Sequence, residues 1–504
     1  MRSRFSRGTW LTLALSVVLV TVPLLVTKFP PSADLPQHVS QVALALGDVA
    51  DSATVDLEVD WFRPNNLVYL FVLASYKVFG PTRAAGATLG ILLVLQVLGL
   101  SLLLRRSPYR LAFLPLLSIF FFNQSLYWGF LNFLVGWPAF CLWLWLLRSD
   151  LPDGRRRWVF LALASGVTLY AHVLWFLAGC GVTCLWMLCE GRSRIRFHVS
   201  TLLPFGVIAL VWYAGLHHYR AEVGYDMAAH WVVKPWERLR PSFLVRGFFG
   251  GLRNVVEDSI RYLVLGWLGL SLLTHRRGFW KRSDRMLLAV GLALFAVSLL
   301  FPDKYSNTTF FASRWMSYGM ILILAAAPPP RPLSRPFVRV TALLVAVIYV
   351  STTAGMWYLY DEVELSGLEE AIDVLPEKST VLGLSFVKAS QFVAGRPFLH
   401  LFAYSQAIKG ADLNFSFAQH GTGIARYTEP RRQTWTQNLE WNPELLQPSD
   451  LSQFEHVLVN GGDPVHEQLG QSPLLIPMTD SGRWRLYRSR GRSDTSEEIG
   501  QGAH

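Results

Sequence analysis

Phe29-Pro30-Pro31-Ser32-Ala33-Asp34-Leu35-Pro36-Gln37-His38-Val39 follows directly on the first apolar run of the chain. A chain that has just left a membrane meets an acid and an imidazole here, four residues apart. Pro36 suits the first turn of a helix, because the N–H it lacks is one that a helix start leaves unbonded in any case. In a helix begun there, Asp34 and His38 project from one face. Such a pair can take a proton, bind a metal ion, or do no more than cap the turn, since Asp is a preferred helix N-cap. What flanks the stretch decides among these.

Of the 504 residues, 52% are hydrophobic and only 16% charged, and the mean hydropathy is +0.31. That balance excludes a soluble enzyme of this size and fits a chain that crosses a membrane many times. The net charge of +11 does not point to nucleic acid. The arginines fall in short runs between apolar segments, the pattern that orients spans. Cys141, Cys180, Cys184 and Cys189 all lie within or at the ends of apolar segments, which argues against disulfides and a cysteine zinc site. The basic start followed by an apolar run looks like a signal peptide. The run is nevertheless about twenty residues long and ends in Lys28-Phe29-Pro30-Pro31 with no small-x-small site, so it reads as an uncleaved first span.

Charge then sets the path. Arg2, Arg4 and Arg7 hold the N-terminus in the cytoplasm, and residues 9–27 cross outward. Residues 28–83 form an external loop carrying Asp34, Asp48, Asp51, Asp56, Glu58 and Asp60. Within it the apolar piece 65–80 is short and holds Lys77, and reads as a helix lying in the outer interface. Counted as a span, it would place Arg105, Arg106 and Arg110 outside. The alternation continues through 84–104, 111–122 and 133–147. The apolar stretch 158–188 is split at Tyr170-Ala171-His172 on the outer side. Then come 199–216, 259–274, 286–301, 315–327 and 340–358. This gives about eleven spans, with a basic cluster in each inner loop, among them Arg105-Arg106, Arg155 to Arg157, Arg192, Arg194 and Arg196. Beyond Tyr358 an amphipathic helix is expected over 365–375 and strands over 379–386, 455–460 and 483–487, with helices between them. The fold class is thus a polytopic α-helical membrane protein, residues 1–358, with a small external α/β domain over 359–488. Residues 489–504 read as a disordered tail.

This topology gathers Asp34, His38, Asn123, Trp128, Asn132, His172, His217, His218, Asp303, Lys304 and Arg314 at the outer rim. Ionisable groups beside a span are costly unless they face a cavity. Each has a plain alternative. Trp128 fits an aromatic belt, His172 a hydrogen-bonded turn, His217 and His218 the interface, and Arg314 a snorkelling cation. Asn123 and Asn132 need partners at that depth. An outer arginine runs against the positive-inside trend and suits an anionic group such as a phosphate; Lys304 shares that argument.

A first span is followed by a long external loop that opens with Asp34-Leu35-Pro36-Gln37-His38. The loop continues into an interfacial helix ending Tyr76-Lys77-Val78-Phe79-Gly80, with Arg83 before the next span. Together with the many spans and the external α/β domain, this resembles the GT-C superfamily of polyprenyl-phosphate-dependent glycosyltransferases, especially its bacterial protein O-mannosyltransferase-like and aminoarabinose-transferase-like branch. The architectural likeness covers nearly the whole chain, while the motif is short. The loop departs in carrying one isolated Asp where the mannosyltransferases commonly have an Asp-Glu pair.

The resemblance implies a multi-pass inner-membrane enzyme with its C-terminal domain outside. It would transfer a hexosyl or pentosyl group, with inversion, from a polyprenyl-phosphate donor to a lipid, glycan or protein acceptor. Membrane lipid is its surroundings and nucleic acid is not a partner. Asp34 would be the base, with His38 orienting it or sharing a metal with it. Arg314, then Lys304 and His172, would stabilise the leaving phosphate. Trp128 and Trp231 would offer stacking surfaces, and Asn132 and Arg83 complete the substrate-binding set. A divalent metal on Asp34, His38 and His172 stays open. Two other classes compete. A flippase of lipid-linked saccharides predicts polar residues at the bilayer midplane, repeats and broken helices. A non-catalytic assembly protein would tolerate loss of Asp34.

Overall fold

The computed structural model describes residues 7–490 apart from 106, 153, 191–194, 223–225, 307, 331–334, 422 and 430–432. Arg2, Arg4, Arg106, Arg192, Arg194 and residues 491–504 of the expected tail lie outside the described residues.

Away from water the backbone groups of an apolar run must be bonded within the run, which makes it helical. The helices are α1 (Arg7–Thr21), α2 (Leu35–Leu46), α3 (Leu67–Phe79), α4 (Pro81–Leu104), α5 (Gln124–Trp128), α6 (Leu131–Leu147) and α7 (Arg155–Ala171). They continue with α8 (Val173–Glu190), α9 (Ile195–Glu222), α10 (Val255–Thr274), α11 (Arg285–Leu300), α12 (Met316–Ala326) and α13 (Arg335–Leu359). Among the described residues four stretches, Arg7–Leu25, Pro81–Leu104, Ile195–Ala221 and Pro336–Glu364, are long and apolar enough to cross a membrane by length and composition. Leu131–Leu147, Val173–Met187 and Arg285–Leu300 are apolar but shorter. α3 occupies the stretch expected in the interface and leaves Leu70, Val78 and Phe79 exposed.

The long apolar stretch divides at His172, whose extended backbone (φ −166°, ψ 125°) stops α7. The expected span 111–122 is not one helix. It is broken into Pro108–Leu111, Leu114–Ser118 and a 3-10 turn at Ile119–Phe121. Pro115, in the first turn of Leu114–Ser118, fits the break before it, because it has no N–H to carry the ladder on from Leu111. α11 and α12 pack through Gly291 and Gly319: a Cβ at either would lie 2.9 Å from the other's carbonyl oxygen, the small-residue contact that lets apolar helices approach closely.

Besides a short pairing of Ala229–His230 with Lys304–Tyr305, the strands among the described residues are β1 (Leu57–Val59), β2 (Thr380–Ser385), β3 (Asp412–Leu413), β4 (Ala425–Tyr427), β5 (His456–Asn460), β6 (Leu475–Pro477) and β7 (Trp484–Ser489). Five form one mixed sheet in the order β3-β2-β5-β7-β6, with β2 parallel to β3 and β5, and β7 antiparallel to β5 and β6. The pleat sorts the side chains with a period of two. Val381, Leu458, Trp484 and Leu486 join the core shared with the helices, and Leu382, Leu384, Val457, Val459 and Tyr487 form a second core on the opposite face. β7 runs to Ser489, and Arg490 N still donates to Leu474 O at 2.8 Å, so sheet pairing takes the first residues of the expected tail.

The first loop and the C-terminal region are bonded to each other. β1 pairs antiparallel with β4, Leu57 facing Tyr427. Arg426 Nη2 donates to Glu58 at 2.5 Å. Ala50 N donates to Gly410 O at 2.8 Å, and Ala425 N to Gln41 Oε1 at 3.0 Å. α2 therefore lies between the helices and the sheet region.

Candidate functional site

Pro36 stands in the first turn of α2, as its fixed φ and missing N–H favour. Asp34 occupies the N-cap position, yet its side chain makes no capping hydrogen bond. Backbone contacts fix its place. Ala33 N and Asp34 N donate to Tyr127 O and Trp128 O, at 3.0 and 3.1 Å. The chain then turns at Gly129 (φ +78°), where a Cβ would fall 2.7 Å from Asp34 N. Only glycine fits both that conformation and that approach.

The carboxylate turns away from the helix start toward the C-terminal region. His400 Nδ1 lies 3.0 Å from Asp34 Oδ1, with the two side chains 4% and 17% exposed. The His400 ring stacks on Phe415 (5.0 Å, 6°) and meets Phe417 edge-on at 5.5 Å. Its Nε2 is buried with no hydrogen-bond partner. Glu440 is drawn to the same place. Burial raises its pKa, and the nearby His400 opposes that rise.

His38 does not hold Asp34. Its Nδ1 is 2.9 Å from the Tyr69 hydroxyl, and the Gly129 backbone lies close enough to favour its charged form. Burial lowers its pKa to about 4, with Asp34's charge and the Gly129 backbone opposing, and it is neutral at pH 7. Burial, then Asp34's charge, push the Tyr69 hydroxyl well above its usual range, so it stays a donor. The four-residue spacing did place Asp34 and His38 as neighbours, but the hydrogen bond to the acid comes from a residue 366 positions away. The sequence carried one signal for it: His400 is a lone imidazole in the apolar run Pro397-Phe398-Leu399-His400-Leu401-Phe402.

Arg314 is buried, with its guanidinium 3.8 Å from the centroid of the Phe130 ring. Nη2 donates to Thr309 O at 2.7 Å, while Nε is buried without a partner. Burial pushes its pKa down to about 9 and Asp34's charge pulls it up; it is a cation at neutral pH. Arg314 and Asp34 thus sense each other without forming an ion pair. Trp128 packs on Phe310 at 4.6 Å and stacks with Phe130 at 6.4 Å, which walls the guanidinium with aromatic rings. His172 sits across Phe133, edge-on at 5.3 Å. Its Nδ1 accepts from Leu174 N at 3.1 Å, and burial, then Arg314's charge, lower its pKa to about 3. Asn132, at the start of α6, has a buried Oδ1 with no partner.

The remaining sequence candidates lie elsewhere. Lys304 faces Asp226 at 3.5 Å, in a short pairing of Ala229–His230 with Lys304–Tyr305, where its charge is matched locally. Asp303 is held by Arg238 at 2.8 Å. Arg83 is exposed in the first turn of α4 and makes no hydrogen bond or ion pair with the Asp34 group. His217 and His218 are exposed near the end of α9, and Trp231 donates to Leu300 O. Asn123 is satisfied as the N-cap of α5. Two of the groups on which a divalent metal stayed open, His38 and His172, each spend Nδ1 on a protein partner. Among the described residues no group of three or more His, Cys, Asp or Glu side chains is arranged to hold a metal ion.

The chain is similar to two solved structures. The crystal structure of ArnT from Cupriavidus metallidurans in the apo state aligns over 95% of this chain and 97% of that one, with TM-score 0.53 and 13% identity. The structure of the same protein bound to undecaprenyl phosphate aligns over 96% and 98%, with TM-score 0.54 and 12% identity. The likeness spans essentially both chains and is one of fold, the architecture that the GT-C resemblance implied. No family model and no curated protein matches the sequence.

Proposed function

We propose that the protein is a membrane glycosyltransferase that uses a polyprenyl-phosphate-linked sugar on the external face, with Asp34 as general base. One observation carries the reading. An acid at a helix start is left uncapped, and its charge reaches a buried, stacked arginine with a spare donor. The fold likeness to ArnT, solved with undecaprenyl phosphate, supports the choice of donor.

In the transfer the acceptor's O–H breaks and its proton goes to the Asp34 carboxylate, which is suited to one proton transfer at neutral pH. The acceptor oxygen bonds the anomeric carbon, with inversion. The C–O bond to the lipid phosphate breaks and its electron pair leaves on the phosphate. Arg314 faces that growing charge. A guanidinium already desolvated and packed needs no reorganisation when the charge develops. Trp128 and Phe130 offer flat apolar faces for sugar or isoprene, and the unpartnered Asn132 Oδ1 is a free acceptor for a sugar hydroxyl.

Two measurements test this. Purified protein in vesicles with a panel of polyprenyl-phosphate sugars is expected to release polyprenyl phosphate and label an acceptor; absence of turnover with every donor would sink the assignment. For sidedness, a single cysteine at exposed Glu377, with the native cysteines replaced, is expected to react with a membrane-impermeant reagent in intact cells. Reaction only after lysis would reverse the orientation.

A further inference from the structure

We propose that His400 is a positioning residue for Asp34. Through an N–H donated from Nδ1 to Oδ1, it fixes the carboxylate so that Oδ2 is the oxygen presented to the acceptor hydroxyl. This rests on the reading of Asp34 as base.

The helix start supplies the first argument. An Asp at the N-cap ordinarily spends a side-chain oxygen on the first free N–H groups. Asp34 does not, and the hydrogen bond its side chain makes is to His400 at 3.0 Å. Without that bond nothing at the helix start would choose the rotamer.

The second argument is the tautomer. A neutral imidazole has one N–H. Placed on Nε2, which is buried and has no partner, it would be an orphaned donor costing about 1–3 kcal/mol. It would also leave the Nδ1 lone pair facing a carboxylate oxygen. Placed on Nδ1, it meets Asp34 Oδ1. The lack of a hydrogen-bond partner at one nitrogen therefore aims the proton of the other at the acid.

Packing supplies the third. The ring lies flat on Phe415, with Phe417 and Phe402 edge-on at 5.5 and 6.3 Å. Its plane, and so the direction of its N–H, is set by contacts that do not depend on substrate. During transfer the acceptor proton passes to Oδ2 and His400 neither gains nor loses one. Any donor held at the Nδ1 position should therefore serve.

That requirement is the test. His400→Asn places an amide N–H near the Nδ1 position, His400→Gln places it near Nε2, and His400→Phe keeps the stack but has no donor. Expected is a kcat within about threefold of wild type for His400→Asn. His400→Gln and His400→Phe should lose about 100-fold, the scale of a misplaced reacting group, with the donor KM unchanged. Should His400→Phe fail to fold, the contrast of Asn with Gln carries the test alone. Wild-type kcat in His400→Gln, or His400→Asn as slow as His400→Gln, would overturn the proposal. Asp34→Asn in the same assay separates the two readings. A fully active Asp34→Asn removes the base itself, whereas an inactive Asp34→Asn beside an active His400→Gln removes only the role of His400.

Discussion

Asp34 and Asp284 are both acids at the start of a helix; Asp34 bonds Trp128 just before α6 and Asp284 bonds Arg148 just after it, a helix about 25 Å long at 1.5 Å rise per residue. Their side chains are similarly exposed, 17% and 13%. Their partners differ. Asp284 caps α11 by accepting from Leu287 N at 3.2 Å, and Arg110 and Arg148 pin it at 2.9 and 2.5 Å. Asp34 caps nothing and takes a bond from one imidazole, and its nearby arginine is stacked on an aromatic ring instead of paired. One acid is saturated by protein and holds helices together. The other has bonding capacity left over in a buried place, where such capacity is costly unless something else arrives to use it. Burial alone does not tell the two apart; the count of satisfied lone pairs does.

The contrast can be broken most sharply at Arg314. Arg314→Gln removes the cation but keeps a polar side chain. We expect kcat to fall by about 10²–10³-fold, as on loss of a charge-stabilising donor, with little change in melting temperature. A loss of folding without loss of kcat in the surviving fraction would make Arg314 a structural residue like Arg110.

A second, smaller effect belongs to the backbone. Gly129→Ala forces a methyl against Asp34 N and a left-handed backbone onto alanine. It should cut transfer by about 10–100-fold by shifting the acid. Unchanged transfer would mean that the Gly129 turn does not place Asp34.

Acid sensitivity sharpens the comparison further. His38 has a folded-state pKa of about 4 against 6.5 unfolded. The stability tied to its neutral form is therefore complete above pH 6.5 and is lost as pH falls from there toward 4. By then it amounts to something on the order of 3 kcal/mol. His420 and His172, lowered to about 4 and 3, act in the same sense. Melting temperature measured across that window should drop in wild type and drop less in His38→Gln. An equal slope in both would show His38 to be solvated.

Lys304→Ala should change transfer by less than about twofold, because its charge is matched by Asp226. A large loss there would enlarge the site beyond the Asp34 group.

Much of the helical part was legible because it is written locally. Basic clusters bound the apolar runs, Tyr170-Ala171-His172 marked the break between α7 and α8, and Pro36 announced α2. Asp34 stands at the start of that helix, as Pro36 implied. What escaped was long-range. His400 reaches Asp34 only because the C-terminal region is bonded to the first loop through β1, β4 and Gln41, pairings that no local pattern encodes. Lys304 and Arg314 were both read as outer cations, with Arg314 ranked first. Only the fold shows one matched by Asp226 and the other stacked on Phe130. The stretch 111–122, expected as one run, is interrupted as a helix beside Pro115, a local signal that hydrophobicity outweighed in the reading.

The central claim, that an unsaturated acid marks the reaction and a saturated one marks the scaffold, is tested most directly by measuring transfer and melting temperature side by side for Asp34→Asn and Asp284→Asn. Transfer by Asp34→Asn is predicted to fall by about 10³-fold with an unchanged melting temperature. Asp284→Asn should keep its transfer while losing about 3 kcal/mol of stability, as two buried arginines lose their counter-charge. Full activity in Asp34→Asn, or inactivity confined to a stable Asp284→Asn, would contradict the account.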